Sequence, residues 1–207
     1  MSSAQTPARG RPRLMPRRRV GGTPQDEILD AAGELFTEQG YAGTSTRAIA
    51  EAVGLRQASL YHHFATKEDI LIALLRQTVV PTLDVARAQD VTRPAADRLV
   101  EIVRFDVTQL VTSRWNLGVL YLLPEIRTAA FDPFRADRLA LRDIYRSLAA
   151  EILGADARDP RCALPFRLVE SVIGLRSDGE IAADDAATLA GTIVAAVERI
   201  LRDTPRG

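Results

Sequence analysis

The side chains best suited to specific polar recognition stand close together: Gln57, Ser59, Tyr61 and His62 fall within six residues. A carboxamide such as Gln57 hydrogen-bonds base edges, adenine in particular. Ser59 donates to and accepts from bases or phosphates, and Tyr61 and His62 are polar-tipped aromatics with phosphate reach. Just upstream, Thr44 and Thr46 stand at a helix start, where backbone N–H groups attract phosphate, and Arg47 adds a cation. Residues suited to catalysis are sparse. There is no phosphate-binding glycine loop, no Gly-x-Ser-x-Gly elbow and no zinc-protease spacing. The two histidines, His62 and His63, are adjacent and point about 100 degrees apart on a helix, which makes them poor joint metal ligands. The single cysteine, Cys162, reads as a small packing residue. No catalytic residue, metal site or cofactor is assigned.

These side chains need a helix that presents them. In TSTRAIAEAVGLRQASLYHHF, Thr44 to Phe64, a small residue (Ala50) stands where two helices come closest. Four residues later Gly54 permits a left-handed turn. Ile49 and Val53 face inward from the first helix, and Leu60, six residues past the glycine, anchors the second. This is the pattern of a helix-turn-helix, which leaves one face of the second helix exposed, with Ala58 able to meet a thymine methyl. Tyr41 is expected to pack on the domain core and His63 to be partly buried.

Around it the periodicity is helical nearly everywhere, without alternating strand runs. A first helix is predicted over about Pro24–Gln39, capped by Thr23 and stopped by Gly40; short helices follow from Thr44 or Ser45 through Ala52 and over Gln57–His63. Thr66 caps a longer helix opening Lys67-Glu68-Asp69, which Pro81 ends or kinks. Lys67, the only lysine, opposes the helix dipole there at roughly 0.3–1 kcal/mol; a phosphate partner would explain it, and a plain surface lysine is the alternative. Later helices are placed near Ala95–Thr112, Trp115–Leu122, Phe134–Leu153, Arg161–Leu175 and Asp184–Arg202, with Pro165 marking either a start or a kink in the fourth.

The 207 residues carry 27 basic and 27 acidic side chains, but six arginines and no acid lie in residues 1–22, so residues 23–207 hold 21 basic and 27 acidic groups, a net of −6. A cationic arm on an acidic body points to a polyanionic partner. The arm contains Arg9-Gly10-Arg11-Pro12-Arg13, which resembles the core of an AT-hook; Arg9, Arg11 and Arg13 are candidates for a narrow A·T minor groove, against a reading as a sequence-blind basic tail. One cysteine excludes an intramolecular disulfide and fits a reducing, cytoplasmic setting. The longest strongly apolar run, Leu117 to Leu123, is far short of a membrane span, and no apolar stretch follows the early arginines as a secretory or twin-arginine signal requires.

From about Thr23 to Leu75 the chain resembles the DNA-binding domain of the TetR family of transcriptional regulators, through AAGELFTEQGYAGTSTRAIAEAVGL, then SLYHHF, then KEDIL. It departs from that pattern at Arg56, where a Ser cap is common, and at Ala58, where Gly is common. With the basic arm (1–22) set apart by its composition, the resemblance implies an all-α chain of a three-helix DNA-binding domain (23–75) and an all-helical effector and dimerisation domain (76–207). It further implies a homodimer on a palindromic operator, usually as a repressor, released by a small-molecule effector. Val169, Val172, Ile173, Leu189, Ile193, Val197 and Ile200 repeat at helical intervals and are the candidate dimer contacts; an intramolecular core has the same period. Phe105, Trp115, Tyr121, Phe134 and Tyr145, with Gln109, Asn116 and Arg142, are candidate effector contacts. Two other readings remain open: an all-α binding protein or enzyme whose first helices merely pack, and an architectural DNA binder using mainly its arm.

Overall fold

The computed structural model describes residues 22–202, which hold nine α-helices, short 3-10 segments and no strand. The candidates Arg9, Arg11 and Arg13 lie outside the described residues. The chain separates into two compact units, one up to Asp69 and one from Ile70.

In the first unit α1 spans Pro24–Glu38. Thr23 Oγ1 accepts from the Asp26 N–H, and the Asp26 carboxylate accepts from the Thr23 N–H, a reciprocal cap that satisfies two orphan donors. The same bonds hold the Asp26 carboxyl below its ordinary range. Ile28, Ala32 and Phe36 are buried along one stripe. Gly40, at φ +80°, turns the chain so that Tyr41 meets Phe36 edge-on at 5.0 Å between ring centroids. Ser45, not Thr44, caps α2 (Thr46–Ala52) by accepting from the Ala48 N–H. Then α3, Gln57–Tyr61, follows, two residues shorter than its periodicity suggests, with His62 closing it. Arg56 precedes it without a side-chain cap bond. The opening turn of α4 (Lys67–Gln77) completes the unit, with Thr66 and Asp69 bonded reciprocally.

In the second unit α6 (Ala95–Thr112) packs against α5 (Val80–Ala88), α7 (Asp132–Leu153), α8 (Leu164–Ser177) and α9 (Ala186–Arg202). Pro81 sits in the first turn of α5, and Pro165 in the first turn of α8. Both prolines therefore start helices, the position where a missing N–H matters least. The helix expected over Trp115–Leu122 is instead a 3-10 segment, Leu117–Leu122. Asn116 is held by donating to the Ile173 carbonyl at 2.9 Å and to Ser177 Oγ at 3.0 Å. Pro124 prevents the segment from lengthening into a full helix. A Cβ on Gly118 would lie 2.4 Å from Ile173 Cδ1, so this glycine lets the 3-10 segment touch α8. Arg176 donates to the carbonyls of Leu110 and Ser113, which closes the end of α6.

Candidate nucleic-acid interface

Four features fix α3. Ile49 and Ala50 are buried, while Val53 is half-buried. Gly54, at φ +68°, ends α2, with the Leu55 N–H returning to the Ala50 carbonyl at 2.9 Å. Leu60 is fully buried. A glycine corner and a leucine anchor thus orient a five-residue helix too short to be stable alone.

On its outer side Gln57, Ala58, Tyr61 and His62 are exposed, and Ser59 is half-buried. Gln57 Nε2 donates to Thr46 Oγ1 at 3.1 Å and stands 3.5 Å from the Tyr61 hydroxyl, which is itself 3.1 Å from Thr46 Oγ1. The three side chains form a closed polar triangle joining α2 to α3. Tyr61 is 46% exposed, so the triangle is held yet open to solvent. Arg47 pairs with Glu51 at 2.8 Å on the exposed face of α2, and that bond raises the arginine pKa.

Two candidates have different duties from those expected. Thr44 is only 2% exposed; its hydroxyl donates to the carbonyls of Leu35 and Gly40, so it braces the corner after α1 and offers nothing to a phosphate. Lys67 is half-buried: Nζ donates to the carbonyls of Tyr41 and Thr44 at 2.9 and 3.0 Å and lies 4.1 Å from the Tyr41 ring centroid. These acceptors account for a cation in the first turn of a helix without any external anion. As expected, Tyr41 is buried and His63 partly so.

In the second unit, four of the seven candidate dimer contacts face inward. Val169, Val172, Ile193 and Val197 are at most 5% exposed within the single chain and form its core. Ile173, Leu189 and Ile200 are half-buried. The shared helical period hides this distinction in the sequence. Of the eight candidate effector contacts, Phe134 and Tyr145 are core residues. Phe105 is exposed, Arg142 pairs with Asp143, Trp115 packs under Arg114, and Asn116 is tied to α8. Gln109 donates to the carbonyls of Gln77 and Thr78. Tyr121 is hydrogen-bonded to Thr78 and borders a space of about 20 Å³ shared with Asp106, Arg138, Phe166 and Glu170, room for one water. Arg138 pairs with Glu170 and lies over the rings of Tyr121 and Phe166.

Asp106, only 4% exposed, accepts from Thr82 and from the Tyr145 hydroxyl at 3.1 and 2.9 Å. Burial pushes its carboxyl up to about 6 despite those two bonds. Burial likewise raises the hydroxyl pKa of Tyr121 and Tyr145. The sequence does carry a signal for Asp106: it occupies a core position of α6, in register with Leu99, Val103 and Leu110. Among the described residues no group of three or more His, Cys, Asp or Glu is arranged for a metal, and no helix is long and apolar enough to cross a membrane.

Residues 28–74 match the family model described as bacterial regulatory proteins, tetR family. Over the whole fold the chain is similar to AmtR of Mycobacterium smegmatis: 50% identity, a TM-score of 0.79, and 91% of each chain covered. The chain belongs to the TetR family. It also resembles the transcriptional repressor AcnR of Corynebacterium diphtheriae, at 38% identity over 104 residues, half of each chain. It is 46% identical to the transcriptional repressor KstR2 of Mycobacterium tuberculosis over 50 residues, 24% of this chain and 25% of that one. The chain thus spans about half the length of AcnR in that match. In this TetR-family chain, the matched residues enclose the glycine corner, the Leu60 anchor and the triangle of Thr46, Gln57 and Tyr61.

Proposed function

We propose that the protein is a DNA-binding transcriptional repressor that binds a palindromic operator as a homodimer and is released by a small-molecule effector. The observation that carries this reading is the open polar triangle on a rigidly seated α3. Such a helix lies in the major groove, with Gln57 and Ser59 toward base edges and Tyr61 and His62 toward phosphates. Repression is favoured by the names of AcnR and KstR2. A two-fold protein matches a palindromic site. The face left for a second copy is the outer side of α8 and α9, where a Cβ on Gly174 or Gly191 would meet nothing within 4 Å, so a neighbouring helix can approach closely.

The effector is assigned to the second unit. The space beside Tyr121 is too small for an organic ligand as it stands. An effector acts by favouring one arrangement of those helices, to the extent that it binds that arrangement more tightly.

The full chain is expected to retard a duplex from its own promoter region in preference to random duplex. Gln57→Ala with Tyr61→Ala removes that preference; unchanged promoter binding by the double variant refutes the assignment of α3. Deleting residues 2–19 weakens binding and flattens its salt dependence, because fewer counterions are released. An unchanged salt slope removes the arm from the interface.

A further inference from the structure

We infer that Thr46 determines operator specificity by positioning Gln57, whose free amide edge reads an adenine in each half-site. The inference rests on the proposed reading of DNA by α3 and goes beyond it to a base and to a residue outside that helix.

A free glutamine side chain turns about three bonds and presents its amide in many directions. Here it does not, because Nε2 donates to Thr46 Oγ1 at 3.1 Å. A carboxamide has two N–H donors and one carbonyl oxygen. Thr46 engages one donor at 3.1 Å; the second contact of Nε2, 3.5 Å from the Tyr61 hydroxyl, is long enough to be given up to a base, which leaves an N–H and the oxygen as a mixed donor and acceptor edge. Adenine presents the complement in the major groove, an N7 acceptor beside an N6 amino donor. Guanine shows two acceptors there, and cytosine an amino donor alone. A fixed mixed edge therefore selects adenine, whereas a mobile one averages over several bases.

Thr46 serves a second partner as well. Its hydroxyl is 3.1 Å from that of Tyr61. When Thr46 donates to Tyr61, the Tyr61 hydroxyl hydrogen is left for a phosphate oxygen. The three groups then form one relay from base edge to backbone, each bond polarising the next. Thr46 belongs to α2, and its hydroxyl does not cap that helix, which is the task of Ser45. Removing the hydroxyl thus leaves the local fold its cap.

The test is selection of duplexes from a randomised library by the full-length protein, followed by competition among the selected sites. Wild type is expected to require adenine at one position of each half-site, and Gln57→Glu to move that requirement to cytosine, whose amino group a carboxylate accepts. Thr46→Val is expected to reduce adenine discrimination there by about tenfold, read as the ratio of affinities for duplexes that differ only at that position. Thr46→Ser is expected to restore discrimination, which a packing role for the threonine methyl would not do. Full discrimination by Thr46→Val, or a selected site indifferent to Gln57, overturns the inference with DNA reading intact. If wild type selects no sequence at all, it is the proposed function that fails.

Discussion

Two small polar clusters of similar chemistry stand in opposite surroundings. In the first unit, Thr46, Gln57 and Tyr61 bond to one another at the surface. In the second, Thr82 and Tyr145 donate to Asp106 in the buried interior. The first leaves its polar atoms open to solvent and contributes little to stability, since water competes for each bond. The second spends its donors on one carboxylate, and any donor lost there leaves a buried group unsatisfied. Placement, more than residue type, separates a recognition surface from a structural core.

The largest expected effect tests the seat of the exposed cluster. Leu60 is fully buried and locks α3, so Leu60→Ala costs about 2–5 kcal/mol of stability in that unit. Hydrogen exchange of amides in α1 to α3 should accelerate, and promoter binding should fall with it, although Gln57 and Tyr61 are untouched. Wild-type exchange in those helices would show that the anchor is dispensable.

The next effect is a pH dependence from the buried cluster. The Asp106 carboxyl titrates at about 6 in the folded chain, above its ordinary 3.8. Between these values the folded state holds a proton that the unfolded state has released. The stability associated with that proton is complete below pH 4 and is lost as pH rises through 6. The loss is on the order of 3 kcal/mol. Asp106→Asn keeps the shape and removes the titration. Denaturant midpoints for the two proteins should therefore diverge between pH 4 and 7, wild type losing more on the basic side; parallel curves would mean that Asp106 stays ionised throughout.

How much of this was legible in the sequence follows the range of the interactions. Caps and glycine stops are local, and the helix Ala95–Thr112 agrees to the residue with the one expected, whereas Pro81, expected to end or kink the helix before it, instead opens α5. The glycine corner and Leu60 anchor are set by spacing alone, so the fold around α3 was readable. What could not be read is which backbone carbonyls the polar side chains would reach. Thr44 binds Leu35 and Gly40, Lys67 reaches back to Tyr41 and Thr44, and Asn116 reaches forward to Ile173. None of these follows from a period. The inward and outward sides of α8 and α9 share one apolar rhythm, so Val169 and Val197 look like contacts for a second chain while serving the first. Asp106 shows the converse, since an acid at an apolar position marks a buried partner without saying that it is Tyr145.

The smallest effect gives the sharpest comparison, because the same chemical deletion can be made in both clusters. Tyr145→Phe removes the donor to buried Asp106 and costs about 1–3 kcal/mol, the penalty for an unmet polar group. Tyr61→Phe removes a hydroxyl 3.1 Å from Thr46 Oγ1, on a residue 46% exposed, where water takes its place. Its effect on stability should stay within about 0.5 kcal/mol. Promoter affinity should respond in the reverse order, falling severalfold for Tyr61→Phe and holding for Tyr145→Phe under conditions where both variants are folded. Thermal denaturation and duplex titration on the same two samples decide the matter. If Tyr61→Phe destabilised the chain as much as Tyr145→Phe and left affinity unchanged, the exposed triangle would be a structural brace like its buried counterpart, and α3 would need another means of holding DNA.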